Sequence, residues 1–135
     1  MGYKIEEIEG IGPSYGAKLS TAGISSTDDL LSHCADPKGR KKVAEQTGVS
    51  EKMLLEWTNM ADLMRVSGVG RQYAELLEGA GVDTIKELRN RNAENLAKKI
   101  EEVNGEKKLA KSTPSVSMVE NWIAQAKTTD PKITY

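Results

Sequence analysis

The 135-residue chain carries 19 Lys and Arg against 20 Asp and Glu, a net charge of −1, so charge alone nominates neither a polyanion nor a membrane surface as its partner. With 38% apolar residues, two Trp, four Tyr and no Phe, it can build a core but lacks the aromatics of a β-sandwich, which points to aliphatic helical packing. A single cysteine, Cys34, excludes an internal disulfide, and beside the only histidine, His33, it offers no zinc or redox spacing. No apolar run reaches the roughly 18 residues of a membrane span, and the opening Met-Gly-Tyr-Lys-Ile-Glu-Glu lacks a signal-peptide stretch, so a cytoplasmic protein is expected.

Taken in chain order, Gly10-Ile11-Gly12-Pro13 reads as a turn opening a helix, with Pro13 suited to the first helical position. Gly23 falls where a left-handed cap would close that helix. Ser26, followed three residues later by Asp29, predicts a reciprocal capping box for the next one. Gln46-Thr-Gly-Val-Ser50 reads as a second, degenerate hairpin. Val49 before Ser50, with Leu54 beyond, fits a hydrophobic staple, and Met53, Leu54, Trp57, Met60, Ala61 and Met64 recur at helical spacing. No Gly or Pro interrupts Glu51 to Arg65, which predicts one helix running out of this first unit into the next.

The second half repeats the first. At a constant offset of 58, Gly10, Gly12, Tyr15, Leu19, Ala22, Gly23 and Leu30 return as Gly68, Gly70, Tyr73, Leu77, Ala80, Gly81 and Leu88. Thr84 with Glu87 repeats the capping box. Met53 and Trp57 return as Met118 and Trp122 at offset 65, so the second copy holds about eight extra residues, the Lys-rich stretch from Glu106 to Thr113. Before it, Asn104-Gly105 is the weak counterpart of the degenerate hairpin. The expected division is 1–62, 63–127 and a flexible tail, 128–135.

Glycine, apolar residue, glycine, then a helix resembles the helix-hairpin-helix motif. Ile11 and Val69 would fill the gap between helices, while the glycines leave room for a ligand at a helix N-terminus whose free N–H groups favour a phosphate oxygen. The resemblance implies an all-α fold of two tandem helix-hairpin-helix units, about five short helices each, joined by a shared helix. In that family this surface grips duplex backbone without reading bases. The wider pattern resembles the largely prokaryotic family known as domain of unknown function 4332. Its landmarks here are Gly-Ile-Gly-Pro at 10–13, Ala-Gly-Ile at 22–24, Thr-Gly-Val at 47–49, Trp57 through Leu63, Gly-Val-Gly at 68–70, Ala-Gly-Val-Asp-Thr at 80–84, Leu88 through Asn92, and Trp122. That resemblance brings a fold and no established activity.

The functional expectation follows from charge placement. Many DNA-binding hairpins carry Lys or Arg two residues after the distal glycine; here stand Ser14 and Gln72, able to hydrogen-bond but uncharged. Glu6, Glu7 and Glu9 crowd the first hairpin, whereas Arg65 and Arg71 flank the second. Residues 1–62 hold seven basic and ten acidic side chains, residues 63–135 twelve and ten. The primary candidates for nucleic-acid contact are therefore Arg65, Gly68, Val69, Gly70, Arg71 and Gln72; Gly10, Ile11, Gly12, Ser14 and Lys18 are secondary. Lys98, Lys99, Lys107, Lys108 and Lys111 are interleaved with Glu101, Glu102 and Glu106 and read first as a solvated face. Tyr15, Tyr73, Trp57 and Trp122 read as packing residues and His33 as a surface residue. With no phosphate loop, zinc spacing or nucleophile–base pair, no enzyme, cofactor or small-molecule substrate is expected. Two partner classes stand: non-specific duplex DNA, or a protein whose carboxylates or carbonyls meet the same helix ends.

Overall fold

A computed structural model describes residues 2–135, and they form eight α-helices, one short 3-10 helix and, among the described residues, no strand. The chain divides into two compact units. One runs through Arg65 and includes Lys132–Tyr135; the other is Val66–Pro131.

In the first unit a 3-10 turn at Ile5–Glu7 precedes α1 (Pro13–Thr21), α2 (Thr27–Cys34), α3 (Pro37–Thr47) and α4 (Glu51–Leu63). Pro13 and Pro37 each open a helix where a missing N–H costs nothing. Gly23, at φ 81°, closes α1 in a Schellman arrangement: its N–H bonds Ser20 O, and Ile24 N–H reaches back to Leu19 O. Ser26 caps α2 reciprocally with Asp29, as the spacing predicts. Fully buried Ile5, Ile8, Leu19, Ile24, Leu30, Leu54 and Leu63 form the core, each contributing about 1.5–3 kcal/mol by leaving water.

Two expectations change here. The helix predicted to pass through Arg65 ends at Leu63. Arg65 N–H bonds Asp62 O in a tight turn, and the chain then bends at Gly68, whose φ of 94° no helix accommodates. At the other end, Lys132–Tyr135 join the first unit instead of trailing free. Buried Arg40 donates to the carbonyls of Cys34, Ala35 and Thr134 (3.0, 3.1 and 2.7 Å), and Thr134 N–H donates to Ala35 O.

The second unit holds four helices: α5 (Arg71–Gly79), α6 (Ile85–Leu88), α7 (Ala93–Lys107) and α8 (Val116–Thr128). Gly81 closes α5 with the hydrogen bonds Gly23 makes in the first copy. Thr84 accepts from Glu87 N–H, but here the box is made from one side alone. The counterpart of the degenerate hairpin does not form at Asn104-Gly105, which lies inside α7. The left-handed cap falls instead on Lys108 at φ 52°, and the Asn104 side chain bonds both the N–H and the carbonyl of Ala110, fastening the inserted stretch to the helix. Leu76, Leu77, Ile85, Leu88 and Leu96 are buried in this core. No helix among the described residues is long and apolar enough to cross a membrane.

Candidate functional site

The two glycine turns are built alike. Gly10 and Gly68 stand at φ 92° and 94°, and Ile11 N–H bonds Ile8 O as Val69 N–H bonds Val66 O, at 3.1 and 3.0 Å. Ile11 and Val69 are buried. Beneath each turn lies an indole: a Cβ on Gly10 would stand 3.3 Å from Trp57 Nε1, and one on Gly68 the same distance from Trp122 Nε1. Each indole packs on the tyrosine of the following helix, Tyr15 on Trp57 at 5.1 Å and Tyr73 on Trp122 at 5.2 Å between ring centres. The tyrosines and tryptophans thus hold the turns from inside, as their helical spacing implies.

The distal glycines differ from the proximal ones. Gly12 and Gly70 are the N-cap residues of α1 and α5, at φ −87° and −94°, values open to any residue. What their lack of a side chain leaves is space, since a Cβ on either meets nothing within 4 Å. It also leaves the helix ends uncapped. Ser26, Asp36, Ser50, Thr84, Asn92 and Ser115 each cap their helix with a side-chain oxygen; α1 and α5 alone among the eight α-helices have no such cap. Their first-turn N–H groups and positive dipole ends face exposed residues, Ser14 in one case and Arg71 and Gln72 in the other.

Electrostatics separates the two. Beside α1, the Glu6 side chain lies close enough that a Cβ on Gly16 would meet its Cγ at 3.3 Å, so a carboxylate already accompanies that first turn. The matched position in the second copy is buried Met64. Of the flanking cations, Arg71 is 46% exposed and 3.5 Å from Glu75, a surface pair worth at most about 1 kcal/mol. Arg65 is only 15% exposed, bonds buried Asp62 at 2.8 Å and closes the first unit, so it is the more firmly committed of the two. Lys18 lies 5.5 Å from the centre of the Tyr15 ring, at the far end of α1 from its open N-terminus.

Around the second turn, Ser67 N–H donates to Gln125 Oε1 at 2.9 Å and Gln125 Nε2 donates to Ser67 O at 3.2 Å. The lysines of α7 do not form a basic stripe: Lys98 and Lys99 share their face with Glu94, Glu101 and Glu102, and Lys99 pairs with Glu102 at 3.6 Å. A run that charge counting passed over lies on α3, where exposed Lys38, Lys41 and Lys42 fall within one helical face; Glu45 sits between them. His33 is exposed and Cys34 buried, its thiol pushed up to about 11 by loss of water. Among the described residues no three His, Cys, Asp or Glu side chains gather as metal ligands.

A family model described as Domain of unknown function (DUF4332) matches residues 9–129, which takes in both turns and all eight α-helices. The chain belongs to this family. No curated protein and no solved structure matches it. Both glycine turns, both tyrosine–tryptophan pairs, Arg65 and Gln125 fall inside the matched residues, while Glu6, the carboxylate beside α1, lies before them.

Proposed function

We propose that the chain is a non-catalytic binding module that holds backbone phosphates of duplex DNA, without reading bases, at the open N-terminal turn of α5 in a tandem helix-hairpin-helix frame. The observation that carries this reading is the pair of uncapped helix ends in a chain that caps its other six α-helices with its own side chains. An uncapped, exposed helix start after a glycine suits an oxyanion, which accepts charge-assisted hydrogen bonds from N–H groups already pointed at it. Arg71 and Gln72 stand within the same first turn, which holds no acidic residue of its own, although Glu75 lies one turn on and pairs with Arg71. With about three phosphates neutralised, binding falls with salt at a slope of about −3 in log–log terms and lies in the ~10⁻⁴ to 10⁻⁶ M range of non-specific complexes.

The test is titration of the full chain into labelled duplex at low and moderate salt, with Arg71→Glu alongside. Salt-sensitive binding that Arg71→Glu abolishes supports the proposal; no binding at low salt, or binding indifferent to both changes, refutes it. A second reading, an adaptor whose open helix ends receive protein carboxylates or carbonyls, is favoured by the commitment of Arg65 to Asp62, which leaves the second turn with few cations. Saturable binding of an acidic peptide that duplex DNA fails to displace would select it.

A further inference from the structure

From the hydrogen bonds of α8 we infer that Gln125 is a positioning residue that fixes the second glycine turn in the shape its ligand requires; the inference rests on the phosphate reading above. Ser67 directly precedes Gly68, and both of its backbone polar groups are engaged by one side chain, N–H to Oε1 at 2.9 Å and O from Nε2 at 3.2 Å. The remaining amide hydrogen of Gln125 goes to Asn121 Oδ1 at 2.7 Å, one turn back on α8. The Ser67 N–H and carbonyl therefore decide which end of the amide carries nitrogen, Asn121 adds a third bond to it, and both amide hydrogens of Gln125 are used.

The base beneath this clamp is itself fixed. Arg89, at the end of α6, donates to Ala126 O and Thr129 O at 3.0 and 2.7 Å, and the hydroxyls of Thr128 and Thr129 bond Gln125 O. One turn from Gln125, Trp122 lies under Gly68. Helix α8 thus holds the turn at two adjacent residues, by an indole from beneath and an amide from the side. The matched place on α4 is Met60, buried and without an amide, so this clamp belongs to the second turn. A short exposed segment with positive-φ glycine is mobile unless restrained, and a mobile ligand loop loses affinity to the cost of ordering it. Gln125 therefore prepares the second turn for binding.

Gln125→Met removes all three side-chain bonds while keeping length and helix propensity, and Asn121→Ala removes only the bond that steadies the amide from within α8. Amide exchange followed by NMR on the full chain reads the turn; duplex titration at low salt reads the ligand. In Gln125→Met, Ser67 and Val69 should exchange about three- to tenfold faster while Ile123, inside α8, is unchanged; the duplex Kd should rise about three- to tenfold with an unaltered salt slope. Asn121→Ala should shift both in the same direction by less. If Ser67 and Val69 exchange as in the wild type, or if the wild type binds and Gln125→Met binds equally well, the role of Gln125 is overturned and the phosphate reading stands. A wild type that ignores duplex overturns the phosphate reading, and with it the role of Gln125 in binding.

Discussion

Gly70→Ser sets stability and binding against each other. Gly70 already has the extended backbone of an N-cap residue, φ −94° and ψ −165°, and a Cβ there meets nothing within 4 Å. A serine hydroxyl would accept from Tyr73 N–H as Ser50 accepts from Met53 and Ser115 from Met118, both at 3.1 Å. Gaining a cap over glycine is worth a few tenths of a kcal/mol, and the stiffer unfolded chain adds a similar amount, for a total of about 0.5–1 kcal/mol. The melting temperature should rise by about 2–6 °C. A phosphate bonded to the same N–H loses a charge-assisted bond, so duplex affinity should fall about tenfold or more. Circular-dichroism melts and fluorescence anisotropy on one preparation read both. Gly12→Ser should stabilise α1 similarly and leave duplex binding unchanged. The reasoning fails if Gly70→Ser lowers the melting temperature, or if it stabilises the chain and binds duplex as the wild type does.

Further expectations concern the frame. Gly68→Ala should cost about 2 kcal/mol in urea denaturation, because it adds crowding against Trp122 to a positive φ; Gly23→Ala, at φ 81° with open space around it, should cost about 1. Arg40→Lys, which replaces a three-carbonyl fork by a point charge, should destabilise by about 2 kcal/mol, and removing residues 132–135 should cost less than that. Asp29 is held below its ordinary pKa of 3.8, chiefly by the N–H of Ser25 and further by the hydroxyls of Ser25 and Ser26, against a smaller opposing effect of burial. Its contribution is therefore full above about pH 4 and lost as pH falls through the depressed folded value. Wild type should be more stable than Asp29→Asn at pH 7, with the gap closing in acid. Cys34 has the opposite sense: its folded pKa of about 11 lies above the unfolded 9.0, so stability should decline as pH rises from 9 towards 11, a decline Cys34→Val should not share. Native Cys34 should also resist thiol reagents at pH 8.

What could be read from sequence was local. Pro13, Gly23, Ser26 with Asp29, Ser50 and Gly81 each act within a few residues, and each sits where its chemistry predicts. The tryptophan stripe was equally legible because a helix repeats every 3.6 residues. Misreadings arose where a distant partner decides. Glu51 to Arg65 contains no breaker, yet α4 stops at Leu63 in a tight turn in which Arg65 N–H bonds Asp62 O. Asn104 looked like a turn residue but spends its side chain on Ala110 from within a helix. Arg65 reads in sequence as a flanking cation, yet it bonds buried Asp62, three residues back in the last turn of α4. Gln125 gives no signal in the sequence, since its partner lies 58 residues earlier and a glutamine on a helix is ordinary.

Trp57 and Trp122 also give the chain two separate optical reporters. Each unit contains one indole, pressed against its own glycine turn and its own tyrosine ring. Trp57→Phe leaves emission that comes from the second unit alone, and Trp122→Phe leaves the first. A spectral shift on adding a ligand then names the turn that received it, and denaturation curves from the two single-tryptophan chains show directly whether the halves of this duplicated protein melt as one body or in succession.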